Sequence, residues 1–118
     1  MRKPLGDRER LGHMVEAMGL MEEFTAGIDY ETYQRDLMRR LALVKLLENI
    51  GEAATAISED LKTEFSDVEW RTLKSVRNIL THEYFGINYE IVWNSIQADV
   101  PPLKTKIERI LRERFGES

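Results

Sequence analysis

The chain has no cysteine, which excludes a disulfide framework, a thiolate metal site and a cysteine nucleophile. The redox compartment is left unmarked, and the cytoplasm is the default expectation. Three prolines and seven glycines fall almost entirely outside the periodic segments, and no Val/Ile/Thr run alternates in polarity as a strand would. No apolar run approaches the roughly 18 residues that span a bilayer. The opening MRKPLGDRER runs into charge and not into a signal-peptide apolar stretch, so membrane and secreted readings fall away. Nor is there an excess of positive charge. With 17 Lys+Arg against 21 Asp+Glu, the net charge is −4, which argues against a broad basic surface for a DNA or RNA duplex, because each phosphate contact needs a nearby cation. A small, locally basic site remains open.

What is present reads as one domain over residues 1–118, all-helical. A chain of this length buries only about two-thirds of the surface it exposes unfolded, so a second copy could usefully extend its core. The first helix is expected to start near Asp7, to bury Leu11, Met14, Val15, Met18 and Met21 at 3–4 spacing, and to end at Gly27. Residues 29–58 form the longest periodic segment. Leu37, Leu41, Val44, Leu47, Ile50, Ala54 and Ile57 make its stripe, widened by Met38, Ala42, Leu43 and Leu46. So wide an apolar arc needs cover on two sides, from its own bundle and from something else, such as another subunit.

Residues 59–67 lack a period and read as a solvated connection closed by an N-cap at Ser66 or Asp67. A third helix buries Trp70, Leu73, Val76 and Leu80 and runs out between His82 and Gly86. A fourth begins near Asn88 or Tyr89 and must break or kink at Pro101-Pro102, with Asp99 available to recap its C-terminal piece. The expectation is an antiparallel up-and-down four-helix bundle with a kinked C-terminal helix, forming a homodimer.

From Arg71 to His82 the sequence is RTLKSVRNILTH, with Arg71, Lys74 and Arg77 and no acid, in a chain that is acidic overall. A basic triplet on a helix is commonly a solvated face. Arg77, however, falls between Trp70 and Leu73 on the helix wheel, beside the apolar stripe, and an arginine there needs an anionic partner from its own chain, another chain or a ligand. His82 is five residues on, about 140° around an ideal helix. The two side chains converge only if the helix ends there or if two copies of the segment face each other. Asn78, four residues before His82, shares its face and suits a hydrogen bond that orients the imidazole. An arginine to stabilise phosphate charge and a histidine to move a proton suit metal-free phosphodiester cleavage, in which the RNA 2′-OH is the nucleophile and no cofactor is required.

The run R-N-I-L-T-H-E-Y-F-G, Arg77 to Gly86, resembles the R-N-x-x-x-H-x-Y motif of the HEPN family and, within it, the HepT-like toxin branch. L-E-N-I-G-E-A-A, from Leu47, is similar to that branch's second-helix signature. Y-E-I-V-W followed by D-V-P-P-L, in residues 89–103, is similar to its fourth helix. The resemblance spans nearly the whole chain; Thr81 departs from it, standing where the branch often has an apolar residue.

The resemblance implies a dimerising bundle with a metal-independent ribonuclease site in the cleft between chains. Arg77 would stabilise the phosphate, His82 would act as acid and base, and Asn78 would support them. It also implies a type VII toxin–antitoxin pair, in which a minimal nucleotidyltransferase partner silences the toxin by adenylylating a tyrosine, here Tyr84. Net acidity favours a short single-stranded substrate segment. Two other readings stay open: a non-catalytic subunit that binds a nucleotide or substrate for its nucleotidyltransferase partner, and a structural dimer with an internal Arg77–Glu52 ion pair.

Other residues admit plainer readings. Glu48 and Glu52 project together one turn apart, as a metal or paired-carboxylate site would require. Glu52, however, sits among Gly51, Ala53 and Ala54, small residues that admit a neighbouring helix, and a salt bridge to Arg77 or to an arginine of a facing helix is the preferred role. Lys74 is a supporting cation or ion-pair member. His13 has no companion at metal spacing and reads as surface. Met14, Met18 and Met21 read as core or interface filler. Trp70 and Trp93 read as core anchors that could border the cleft. Lys104, Lys106, Arg109, Arg112 and Arg114 form the basic face of an amphipathic terminal helix, where a secondary RNA track is conceivable.

Overall fold

Seven helices succeed one another along residues 6–82 and 86–117, the residues described by the computed structural model. They are α1 (Asp7–Thr25), α2 (Tyr30–Arg35), α3 (Leu37–Thr55), α4 (Glu59–Glu64), α5 (Trp70–His82), α6 (Tyr89–Ala98) and α7 (Val100–Phe115). The all-helical expectation holds, but the described residues hold seven helices where four were expected. No helix among them is long and apolar enough to cross a membrane.

Three local causes account for the extra helices. The 29–58 segment is divided by Asp36, whose N–H donates to the Tyr33 carbonyl at 3.2 Å while its carboxylate accepts from the Arg39 N–H at 3.0 Å. One residue thus ends α2 through its backbone and starts α3 through its side chain. Residues 59–67 are not a solvated connection. Ser58 caps a helix there, α4, its hydroxyl accepting from the Leu61 N–H, Leu61, Phe65 and Val68 are buried, and the next helix starts at Trp70, so that neither Ser66 nor Asp67 directly precedes it. That apolar set is too short to display a period. Finally, the C-terminal helix is two helices and not one kinked one. Pro101 and Pro102 sit in the first turn of α7, where a missing backbone donor has no intrahelical partner to lose. Asp99 separates α6 from α7 without a side-chain capping bond.

Helix α3 is the spine, packed between α1 and α5, with α2 beside it, while α7 packs on α1 and α6. Polar ties fix the directions. The Asp7 carboxylate accepts from both the N–H and the hydroxyl of Ser58, at 2.9 and 2.6 Å, so α1 starts where α3 ends. At that same end Arg8 pairs with Glu117, while Glu22, near the far end of α1, meets Lys104 at 2.9 Å. Helix α5 begins at the α3 C-terminal end and α6 begins at the opposite end, where the Arg40 guanidinium lies over the Tyr89 ring at 4.7 Å. Helices α3 and α5 are therefore antiparallel, and His82 lies at the Arg40 end.

The core takes Leu11, Met14, Met18 and Met21 from α1, Leu43 and Ile50 from α3, and Ile107 and Ile110 from α7, all fully excluded from solvent. Each such side chain stabilises the fold by about 2 kcal/mol. The methionines are core, as their period suggests. Trp70 donates from Nε1 to the Phe65 carbonyl at 3.1 Å, and Trp93 packs on Tyr33 with ring centroids 4.8 Å apart. The wide arc of α3 is only partly covered by its own chain: Leu37, Met38 and Leu41 are 54, 83 and 51% exposed.

Tyr33, fully buried, donates its hydroxyl to the Tyr89 carbonyl at 2.8 Å, tying α2 to the start of α6. Burial pushes its phenol up to about 12. An acid whose folded pKa lies above its unfolded value of about 10 favours the fold below that value, and the contribution is lost as pH rises toward the folded value. Between pH 9 and 11, urea melts should show wild type losing on the order of 1 kcal/mol more stability than Tyr33→Phe. Equal losses would show that Tyr33 does not carry this alkaline sensitivity.

Candidate active site

The motif-bearing helix α5 is seated by a contact without side-chain cushioning. Gly51 of α3 is buried, and a Cβ added there would lie 2.6 Å from the Arg77 Cβ, 2.9 Å from the Leu73 carbonyl oxygen and 3.3 Å from the Arg77 Cα. Only glycine lets the two backbones approach this closely. Its small neighbours Ala53 and Ala54 are buried as well.

That seating leaves Arg77 at the seam, its side chain 22% exposed. The Glu52 carboxylate, one residue from the contact and 64% exposed, lies 3.4 Å from Arg77 Nε. The approach is an ion pair but not a hydrogen bond, since Nε is buried without a hydrogen-bond partner. Glu52 thus flanks one edge of the guanidinium, and no hydrogen bond among the described residues occupies its terminal nitrogens. That edge is free for an anion with paired oxygens, the geometry arginine recognises best.

Helix α5 is continuous from Trp70 to His82, so His82 is still on the helical wheel and about 140° from Arg77. His82 is the last residue of α5 among the described residues. His82 is exposed and Asn78 half-buried on the same face, but no side-chain hydrogen bond joins them among the described residues. Lys74 is exposed, with no carboxylate within ion-pair distance among the described residues. Tyr84 lies outside the described residues.

The remaining candidates sort by their contacts. Glu48 lies 3.6 Å from Lys45, and no group of three potential metal ligands occurs among the described residues. His13 is exposed, at a shallow groove of about 440 Å³ between α1 and α3 that Arg10, Glu16, Asn49 and Glu52 also border. A narrower cavity of about 280 Å³ behind α5 is lined by Leu47, Leu73, Val76 and Val100 among others and includes neither Arg77 nor His82. On α7, Lys104 is held by Glu22, Lys106 by the Asp67 carbonyl at 2.8 Å, Arg109 by Asp67 at 3.1 Å and Arg114 by Glu64 at 3.4 Å. A secondary RNA track there would have to break these ties. Arg40, stacked on Tyr89, had no sequence signal, because its partner is 49 residues away in the chain.

A family model described as Ribonuclease HepT-like matches residues 14–110. The chain is 39% identical over 95 residues to a protein of Methanocaldococcus jannaschii named as a candidate RNase, covering 80% of this chain and 87% of that one. It is 35% identical over 103 residues to a protein of Thermococcus cleftensis named as a candidate ribonuclease HepT, covering 87% and 94%. A candidate RNase of Caldanaerobacter subterraneus subsp. tengcongensis is 33% identical over 106 residues, covering 90% and 95%. No solved structure matches the chain.

The Gly51 contact makes a specific demand on stability. Alanine there gains about 1 kcal/mol of helix propensity but forces α5 outward, and overpacking of this kind costs about 1–3 kcal/mol. Gly51→Ala should therefore lower the denaturation midpoint, while the same change at Gly19, where an added Cβ meets nothing within 4 Å, should raise it. A stabilised Gly51→Ala protein would mean that α5 does not rest on this glycine.

Proposed function

Because this chain belongs to the HepT-like ribonuclease family, we propose that it is a metal-independent endoribonuclease and the toxin of a toxin–antitoxin pair, acting as a homodimer. The observation that carries this reading is the unbroken helix through His82. Along that helix Arg77 and His82 are about 140° apart, which favours a working pair made of Arg77 from one chain and His82 from a facing copy. Exposed apolar residues support such a facing copy: Leu37, Met38 and Leu41 on α3, Ile79 on α5, one turn before His82, and Ile91 on α6.

In the proposed reaction one imidazole takes the proton of the RNA 2′-OH as its oxygen attacks the adjacent phosphorus. The bond from phosphorus to the 5′-oxygen breaks, and that oxygen takes a proton from the imidazolium so formed. The products are a 2′,3′-cyclic phosphate and a 5′-hydroxyl. The Arg77 guanidinium faces the non-bridging oxygens, where negative charge builds up, and Asn78 supports His82. The Glu52 contact favours this over a purely internal ion pair, because it engages only Nε, at 3.4 Å, and leaves the paired terminal nitrogens for phosphate. Regulation is assigned to a partner nucleotidyltransferase that transfers AMP from ATP to the Tyr84 hydroxyl and releases pyrophosphate.

Purified protein should cleave RNA in EDTA and leave 2′,3′-cyclic phosphate ends, with His82→Ala slower by about 10²–10⁴-fold. Mixing inactive Arg77→Ala with inactive His82→Ala and allowing exchange should restore about a quarter of wild-type activity, since half of the dimers are mixed and each carries one intact composite site. No restored activity would sink the shared site. Incubation with the partner and ATP should add one AMP at Tyr84 by mass spectrometry, and an unmodified Tyr84 would remove that assignment.

A further inference from the structure

The cations of this chain are unevenly spent. Besides the four tied residues of α7, Arg35 is paired with Glu31, Arg39 with Asp36, Lys45 with Glu48 and Lys62 with Glu59. Arg71 and Lys74 differ: both are exposed, and no carboxylate lies within 4 Å of either among the described residues. Arg10, Arg40 and Arg112 also lack a carboxylate, and Lys106 is tied only to a backbone carbonyl. The first two, however, are half-buried and Arg40 is stacked on Tyr89, while Arg112 stands one turn from Glu108 and next to Glu113 on α7.

The two free cations are also aligned. At 100° per residue Arg71, Lys74, Ser75, Asn78 and His82 fall within an arc of about 100° on α5. Four of these are exposed and Asn78 is half-buried. The row is about 16 Å long at 1.5 Å per residue, the reach of a few nucleotides of single strand. Arg77 flanks it next to Lys74, three residues on. No acid stands in the first turn of α5.

We propose that Arg71 and Lys74 form a phosphate-binding extension of the active site, holding backbone phosphates on one side of the scissile bond so that single-stranded RNA runs along α5 from His82 toward Trp70. This rests on the ribonuclease reading of the site. The two residues contact phosphates and not bases, so they add affinity and register but no sequence preference. An acidic protein thereby keeps a cationic path on one face of one helix, while most of its other described cations are paired with carboxylates.

The test is binding without turnover. A fluorescent, fully 2′-O-methylated single strand of about a dozen nucleotides lacks the nucleophile and can be titrated with wild-type protein across a salt series. The slope of log affinity against log salt should fall in magnitude by about 1.4 in Arg71→Ala/Lys74→Ala, from about 0.7 for each lost contact with a single strand. The charge-conserving Arg71→Lys/Lys74→Arg should retain the wild-type slope, and Arg112→Ala should leave it unchanged. An unchanged slope in the double alanine variant, an equal drop in Arg112→Ala, or no binding by wild type would each overturn the proposal. Wild type that binds with the expected slopes but cleaves no RNA would overturn the ribonuclease reading and leave the phosphate path standing. Cleavage by wild type with an unchanged slope in the double variant would do the reverse.

Discussion

The absence of one side chain sets the geometry on which the rest depends. At Gly51 the backbones of α3 and α5 come close enough that a single methyl group would collide with Arg77 and with the Leu73 carbonyl. That contact fixes where α5 sits along α3, and with it the depth at which Arg77 lies in the seam and the distance of its guanidinium from Glu52. It also determines which face of α5 is left to solvent, the face that bears Asn78 and His82. Close backbone approach is a stiff constraint, since there is no flexible side-chain tip to absorb a shift. Arg77 is thus held by packing on one side and by an electrostatic contact on the other.

Much of this was legible in the sequence, for identifiable reasons. The apolar stripes of α1 and α5 are long enough to display a helical period, and Asn88 announces α6 because it caps it, accepting from the Glu90 and Ile91 N–H groups. The small cluster around Gly51 signalled a neighbouring helix, and Glu52 was matched with Arg77 from its place beside that cluster. What could not be read are features whose cause is a single residue serving two elements. Asp36 caps in both directions, and on a hydrophobic profile it is one polar position in an otherwise continuous segment. Helix α4 buries Leu61, and six residues carry too little pattern to separate a helix from a loop. Asn78 was expected to bond His82, yet a shared face sets only proximity and does not fix a rotamer. Tyr33 and Tyr89, 56 residues apart, are joined by a bond that no local pattern encodes.

Charge is arranged with similar economy. The net −4 describes a surface on which acids and bases mostly cancel in pairs that are exposed and individually weak. Their combined effect is to leave the molecule without a diffuse positive field, so that the acid-free face of α5 stands out locally. An average over the chain conceals that segregation, and a count of lysines and arginines would assign the basic surface to α7, where the cations are most numerous but Lys104, Arg109 and Arg114 are paired with acids.

The pairing of Arg8 with Glu117, beside the Asp7–Ser58 bonds, gives the molecule a polarity of attachment. Both ends of the described chain emerge at the pole where α3 finishes, while α5 delivers His82 to the other. A covalent passenger joined at either end would leave from the same pole and keep clear of the His82 pole. A group attached at Arg8 or Glu117 would therefore sit at that pole, with the opposite surface still presented to solution.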